Sequence, residues 1–203
     1  MGDAFDDLGF APAYRVEIGP EFPGDGDWGC PVFGFNRQRQ LDEPFESRWG
    51  TLTLVRVQPH DADEWVGTFE AGGLGALRGV YGCPSPNGLC LIADGWVYLV
   101  DVTKPDAGAV VLAYPVHQVV RVADIDLVLF VRSVDIVALG ARGIAWRTQR
   151  LVVDDLWVQN AARDVIVCRG DNLGGTPEIE LDPQTGQQTA RTFLSSFWPP
   201  GAT

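Results

Sequence analysis

The 203-residue chain predicts an all-β fold built from antiparallel repeats, and three observations carry that prediction. It contains 24 glycines and 14 prolines, a turn-rich composition that favours many short strands over long helices. Apolar residues alternate with a period near two in stretches such as "VYLV" and "IEL", and no stretch of ten or more residues carries a helical stripe. Four similar apolar segments also begin at equal intervals: "GTLTLVRV" at Gly50, "GLCLIADG" at Gly88, "DLVLFVRS" at Asp126 and "DVIVCRGD" at Asp164, each 38 residues after the one before. Equal spacing of like strands is the mark of a repeat architecture.

Within each unit the first strand leads through a polar turn to a second: "WVYLVDV" (96–102), "VDIVALG" (134–140) and "PEIELDP" (177–183). Links rich in turn formers follow, namely "TKPDAG", "ARG" and "QTG". The third unit adds "GIAWRTQRL" and then "LWVQNAARD", which runs into the next Asp; "VHQVVRVADID" is its parallel in the second unit. The unit therefore reads strand, turn, strand, turn, strand, with room for one more. Upstream, "AYRVEIG" (13–19) alternates like a strand, but the sequence after it does not match the later units. Residues 1–49 are either an acidic N-terminal extension or an atypical first repeat. Residues 50–203 hold the four 38-residue repeats, expected to pack as one domain.

"VALGARGIAWRT" (137–148) resembles the strand–turn–strand of quinoprotein-type β-propeller blades, through Ala138, Leu139, Gly140, Gly143 and Trp146. "IELDPQTGQQ" resembles its first half, through Leu181, Asp182, Thr185 and Gly186. Gly140 stands where those blades usually carry Asp, and the Trp is missing from the second and fourth units. The resemblance implies a propeller-like domain of four or five short blades, in which Trp146 fills an inter-blade layer. It implies neither a quinone nor a redox activity, because propellers host unrelated functions. Two packed antiparallel sheets, a β-sandwich, are the alternative, though a sandwich gives no reason for even spacing.

Formal net charge is −12, and it is uneven: residues 1–70 hold 14 acidic side chains against 5 arginines. Such a surface repels phosphate backbones and speeds encounter with a basic protein. No basic, apolar leader opens the chain, and no apolar run approaches a membrane span, so a cytoplasmic protein with reduced cysteines is the simplest reading.

Catalytic motifs are scarce. His60 and His117 are the only histidines, no G-x-S-x-G elbow is present, and the Gly-rich "AGGLGALRG" (71–79) lacks the Lys-Ser/Thr of a phosphate loop. Cys83 and Cys90 lie too far apart for the usual zinc pair, and Cys30 and Cys168 are singletons. "GDGDWG" (24–29) spaces Asp25 and Asp27 as a Ca²⁺ loop does, but lacks its bidentate Glu. No metal and no cofactor are therefore expected, and enzymatic activity is doubtful.

Seven tryptophans remain. Trp65, Trp96 and Trp146 read as core, whereas Trp28, Trp49 and Trp198 lie in loop-like context and Trp157 follows an acid pair. Exposed Trp flanked by acids is the form of a hot spot for a basic partner. The candidate partner-binding residues are Asp25, Asp27, Trp28, Asp61, Asp63, Glu64, Asp154, Asp155 and Trp157. The expected function is a non-enzymatic protein-binding module; proteins of the inhibitor or immunity type share its small, acidic, motif-free profile. The alternative is an enzyme or ligand-binding propeller that uses loop carboxylates in an axial pocket.

Overall fold

A computed structural model describes residues 4–36, 52–71 and 77–193. Gly50, where the first repeat opens, and Trp49, Trp198 and most of the Gly-rich stretch lie outside the described residues. The strands are β1 (Phe5–Asp6), β2 (Tyr14–Ile18), β3 (Val32–Phe35), β4 (Thr53–Pro59), β5 (Trp65–Phe69), β6 (Gly79–Gly82), β7 (Gly88–Ala93), β8 (Trp96–Asp101), β9 (Val110–Ala113) and β10 (Gln118–Val122). They continue as β11 (Leu127–Val131), β12 (Ile136–Gly140), β13 (Gly143–Arg147), β14 (Asp154–Ala161), β15 (Ile166–Asp171), β16 (Pro177–Leu181) and β17 (Gln188–Phe193). Two single 3₁₀ turns, Pro105–Ala107 and Ala123–Ile125, are the helical pieces among the described residues.

These strands form four small sheets, and the protein is all-β. The first sheet has the order β2-β4-β5-β3, the second β1-β6-β7-β8-β9, the third β10-β11-β12-β13 and the fourth β14-β15-β16-β17. The four segments spaced by 38 residues hold β4, β7, β11 and β15, the second strand of each four-stranded meander or its counterpart. β8, β12 and β16 are the third strands, so the similar sequences occupy equivalent places. The phase differs from the sequence reading in one respect. The last segment of a unit, such as "LWVQNAARD", crosses over to become the first strand of the next sheet, here β14.

Two pairings depart from the antiparallel expectation: β1 lies parallel to β6, and β3 parallel to β5. Both come from the N-terminal 36 residues, outside the regular repeat. Each caps an edge that a meander would leave open, which satisfies a row of backbone groups.

The sheets pack in series, and three apolar layers lie between them. Sheets one and two enclose Tyr14, Phe35, Val57, Trp65, Phe69, Leu89, Leu91 and Tyr98. Sheets two and three enclose Cys90, Ile92, Val97, Leu112, Val128, Phe130 and Leu139. Sheets three and four enclose Leu129, Val131, Ile136, Trp146, Leu156, Ile166, Cys168 and Ile179. Each neighbouring pair packs as a sandwich does, and the series repeats that contact three times. Among the described residues no apolar cluster joins the first sheet to the last.

This stacking explains the sequence pattern. A middle sheet is buried on both faces, so its strands read as continuous apolar runs. In β7, Leu89, Leu91 and Ala93 face one layer while Cys90 and Ile92 face the next. In β11, Leu127, Leu129 and Val131 face sheet four, and Val128 and Phe130 face sheet two. The end sheets bury one face and keep the alternation: β16 runs Pro-Glu-Ile-Glu-Leu with both glutamates outward of the buried residues.

Two tryptophans stitch consecutive sheets together. The Trp65 indole N–H donates to Val102 O at 2.9 Å, and that of Trp146 to Pro183 O at 2.9 Å. Each acceptor lies 37 residues on and directly follows an aspartate, Asp101 or Asp182. Those aspartates end equivalent third strands and cap the turns behind them: Asp101 Oδ1 accepts from Thr103 N, and Asp182 Oδ1 from Gln184 N and Thr185 N. In the third sheet Gly140 replaces the aspartate, because a two-residue turn leads there directly into β13. Trp146 is thus the inter-sheet filler that its sequence setting predicts.

Candidate functional site

The first group of acidic candidates gathers on the outer side of sheet one. The loop 19–31 between β2 and β3 is ordered by its own side chains. Asp27 N donates to Asp25 Oδ1 at 3.1 Å, and Gly29 N to Asp27 Oδ1 at 2.9 Å. Such side-chain-to-backbone bonds fix a turn without a strand partner. The turn presents Trp28, and Phe22 packs edge-on to the indole with ring centroids 5.2 Å apart. Phe22 remains 68% exposed. Glu21, Asp25 and Asp27 are exposed around this pair.

The loop is tied to the sheet through Arg56 on β4. Its guanidinium pairs with Glu64 Oε1 at 2.5 Å and donates to Trp28 O at 3.5 Å. Gln58 Nε2 holds the other Glu64 oxygen at 2.7 Å. Glu64 is therefore a brace for the loop as much as a surface charge. Cys30 lies beside it; partial desolvation, then the Glu64 charge, push its thiol above the ordinary range, against the pull of Arg56. Asp61 and Asp63 sit exposed with His60 at the tip of the β4–β5 hairpin.

The second group lies on sheet four. Asp154 and Asp155 open β14 at a bulge, with Asp155 at φ +52°. Trp157 is 49% exposed and stacks on the His117 ring, with centroids 5.7 Å apart. His117 is also held by Leu156 O, 2.8 Å from Nε2. Sequence reasoning singled out Trp157 but missed its stacking partner, which lies forty residues away on the neighbouring sheet. The structure thus brings Asp25, Asp27, Trp28 and Glu64 together, and separately Asp154, Asp155 and Trp157. The two groups belong to different sheets, with two sheets between them in the series.

A cavity of about 340 Å³ opens between sheets two and three. It is lined by the β6–β7 turn, the ends of β8 and β9, and the β12–β13 turn "LGARG". Leu99, Val110 and Leu139 make its apolar wall, while Asp101, Arg142, Ser85 and Asn87 bring polar groups. Among the described residues Asp101 is the one carboxylate in the lining, and its Oδ1 already accepts from Thr103.

The described residues contain no group of three or more His, Cys, Asp or Glu side chains placed to hold a metal. No described helix is long and apolar enough to cross a membrane. Cys168 is buried in the layer between sheets three and four, and burial pushes its thiol up to about 12, so it behaves as a small apolar side chain. Cys83 and Cys90, spaced too widely in sequence for the usual zinc pair, meet with their sulfurs 3.1 Å apart. The β6–β7 hairpin that brings them together was the missing information. The chain matches no protein-family model and no curated protein by sequence.

Proposed function

We propose that the chain is a non-enzymatic protein-binding module of the inhibitor or immunity type, and that it docks a basic partner through the 19–31 loop of the first sheet. The observation that carries this reading is Phe22, a large apolar ring left 68% exposed on Trp28 and surrounded by Glu21, Asp25 and Asp27. An aromatic anchor gives affinity when a partner desolvates it, and the acid rim gives encounter rate and register. The braced turn lowers the entropy lost on docking, since the loop is already ordered by its aspartates and by Arg56.

The test is a pull-down with the full chain from its own host's lysate at low and high salt. The reading expects one basic protein bound in a fixed ratio, with binding weakened by salt. Phe22→Ala should weaken it by about thirty-fold, the scale of a hot-spot truncation. Asp25→Lys with Asp27→Lys should slow association at unchanged circular dichroism. Absence of a partner at low salt, or binding indifferent to these changes, overturns the reading.

A second reading, a small-ligand binder, is supported by the cavity between sheets two and three. It expects ligand density among Asp101, Arg142 and Asn87, and binding that Arg142→Ala abolishes while Phe22→Ala leaves it unchanged.

A further inference from the structure

We propose that Cys83 and Cys90 are a redox dithiol, which a hydroperoxide entering the neighbouring cavity converts to an intrachain disulfide. Four observations carry this. The two sulfurs lie 3.1 Å apart, inside the roughly 3.5–4 Å at which nonbonded heavy atoms rest. Both side chains are buried in the layer between sheets two and three. The turn that joins them is braced at both ends: Gly88 N donates to Ser85 O at 3.0 Å, and Val102 N to Asn87 O at 2.9 Å.

The fourth observation concerns Gly88. A Cβ there would stand 3.0 Å from Cys83 Cβ and 3.4 Å from its sulfur. The bare glycine is what gives Cys83 room to lean over Cys90. The pair is thus a built arrangement, seated where Gly88 O also accepts the Tyr14 hydroxyl at 2.7 Å.

The cavity assigns the roles. Cys83 lines it and Cys90 does not. Cys83 is the entry thiol: its thiolate attacks the terminal peroxide oxygen, the O–O bond breaks, alkoxide (hydroxide for hydrogen peroxide) leaves and takes up a proton, and Cys83 becomes a sulfenic acid. Cys90 is the resolving thiol: its sulfur attacks the sulfenic sulfur, the S–O bond breaks, and the departing hydroxide takes the Cys90 proton as water. In sum two thiols are oxidised to one disulfide, and one hydroperoxide is reduced to water and an alcohol, or to two waters for hydrogen peroxide. Desolvation holds the Cys90 thiol protonated, which fits a group that acts second. The closed bond would cross-link the β6–β7 turn at the cavity mouth, and a thiol reductant would reopen it. Nothing in this depends on the partner-binding reading.

The experiment exposes the folded full-length chain to hydrogen peroxide, alkylates it in denaturant and maps its tryptic peptides. Cys30, partly exposed on sheet one, reports that oxidant reached the protein. The expected result is that the peptide beginning at Gly79 loses both alkyl groups and the mass of two hydrogens, and that dithiothreitol restores them. In Cys90→Ser the same treatment should leave Cys83 as a sulfenic acid that dimedone labels; in Cys83→Ser, Cys90 should stay unmodified. Full alkylation of both cysteines in the wild-type peptide, at a dose that oxidises Cys30, overturns the proposal whether or not the variants fold. A disulfide that instead joins two chains through Cys30 overturns it as well.

Discussion

Gly186 is the position at which the packing between sheets three and four is most sharply testable. It sits at φ +68° in the turn between β16 and β17. A Cβ there would lie 2.4 Å from Cε3 and 2.7 Å from Cδ2 of Trp146. Gly186→Ala therefore does two things. It puts an L side chain in the left-handed region, at about 1–2 kcal/mol. It also forces the indole to shift in a close-packed layer, at about 1–3 kcal/mol. The shift strains the bond from the indole to Pro183 O, whose loss adds about 1 kcal/mol. The expected destabilisation is about 3–6 kcal/mol, which for a chain of this size lowers Tm by roughly 6–24 °C.

Two comparisons isolate the clash. Gly143 has φ +105° and nothing within 4 Å of its virtual Cβ, so Gly143→Ala carries the strain alone, about 1–2 kcal/mol. In a Trp146→Ala background the ring is gone, and Gly186→Ala should again cost only the strain, leaving a coupling of about 2 kcal/mol or more. Urea denaturation followed by far-ultraviolet circular dichroism measures wild type and the four variants on one scale. If Gly186→Ala is no costlier than Gly143→Ala, or is additive with Trp146→Ala, the stitched-layer account of this interface is wrong.

Three further outcomes follow from the geometry. Trp65→Phe keeps the ring layer between sheets one and two but orphans Val102 O, and should cost about 1–3 kcal/mol in urea midpoint measurements. Backbone donation from Thr185, then Gln184, holds the Asp182 carboxyl below its ordinary range. A depressed folded value stabilises above the unfolded one and is lost as pH falls through it, so wild type should exceed Asp182→Ala at neutral pH by a margin that shrinks below about pH 4. Glu64→Gln removes the charge that raises the Cys30 thiol and releases Arg56 toward it, so maleimide should label Cys30 faster at pH 7 in that variant.

The regular part of the fold was legible because each sheet repeats one local pattern. Gly88, Asp126 and Asp164 open or precede second strands at the even spacing, and Asp101 and Asp182 close third strands in segments that resemble each other, "WVYLVDV" and "PEIELDP". What was not legible depends on contacts between distant segments. Nothing local to "VFGF" says that β3 will run parallel to β5, and nothing in "YPVHQVV" says that His117 will meet Trp157. Phe22 was passed over because an isolated apolar residue in a loop has no periodicity to judge it by; its setting between Glu21 and Asp25 was the available signal. The Cys83–Cys90 pair was judged by metal-ligand spacing, although "PSPNG" between them is turn chemistry that marks a hairpin.

The burial of the middle sheets on both faces also has a consequence for synthesis. β7 and β11 carry neither charge nor proline from Leu89 to Ala93 and from Leu127 to Val131. Such segments associate with copies of themselves when uncovered. As the chain emerges, the Cys90–Ile92 face stays bare until the strands of the third sheet have followed, and the Leu129 face waits for the fourth. The molecule is therefore most vulnerable when it is partly made, and its yield should respond to translation rate and to holding chaperones more than to small gains in final stability.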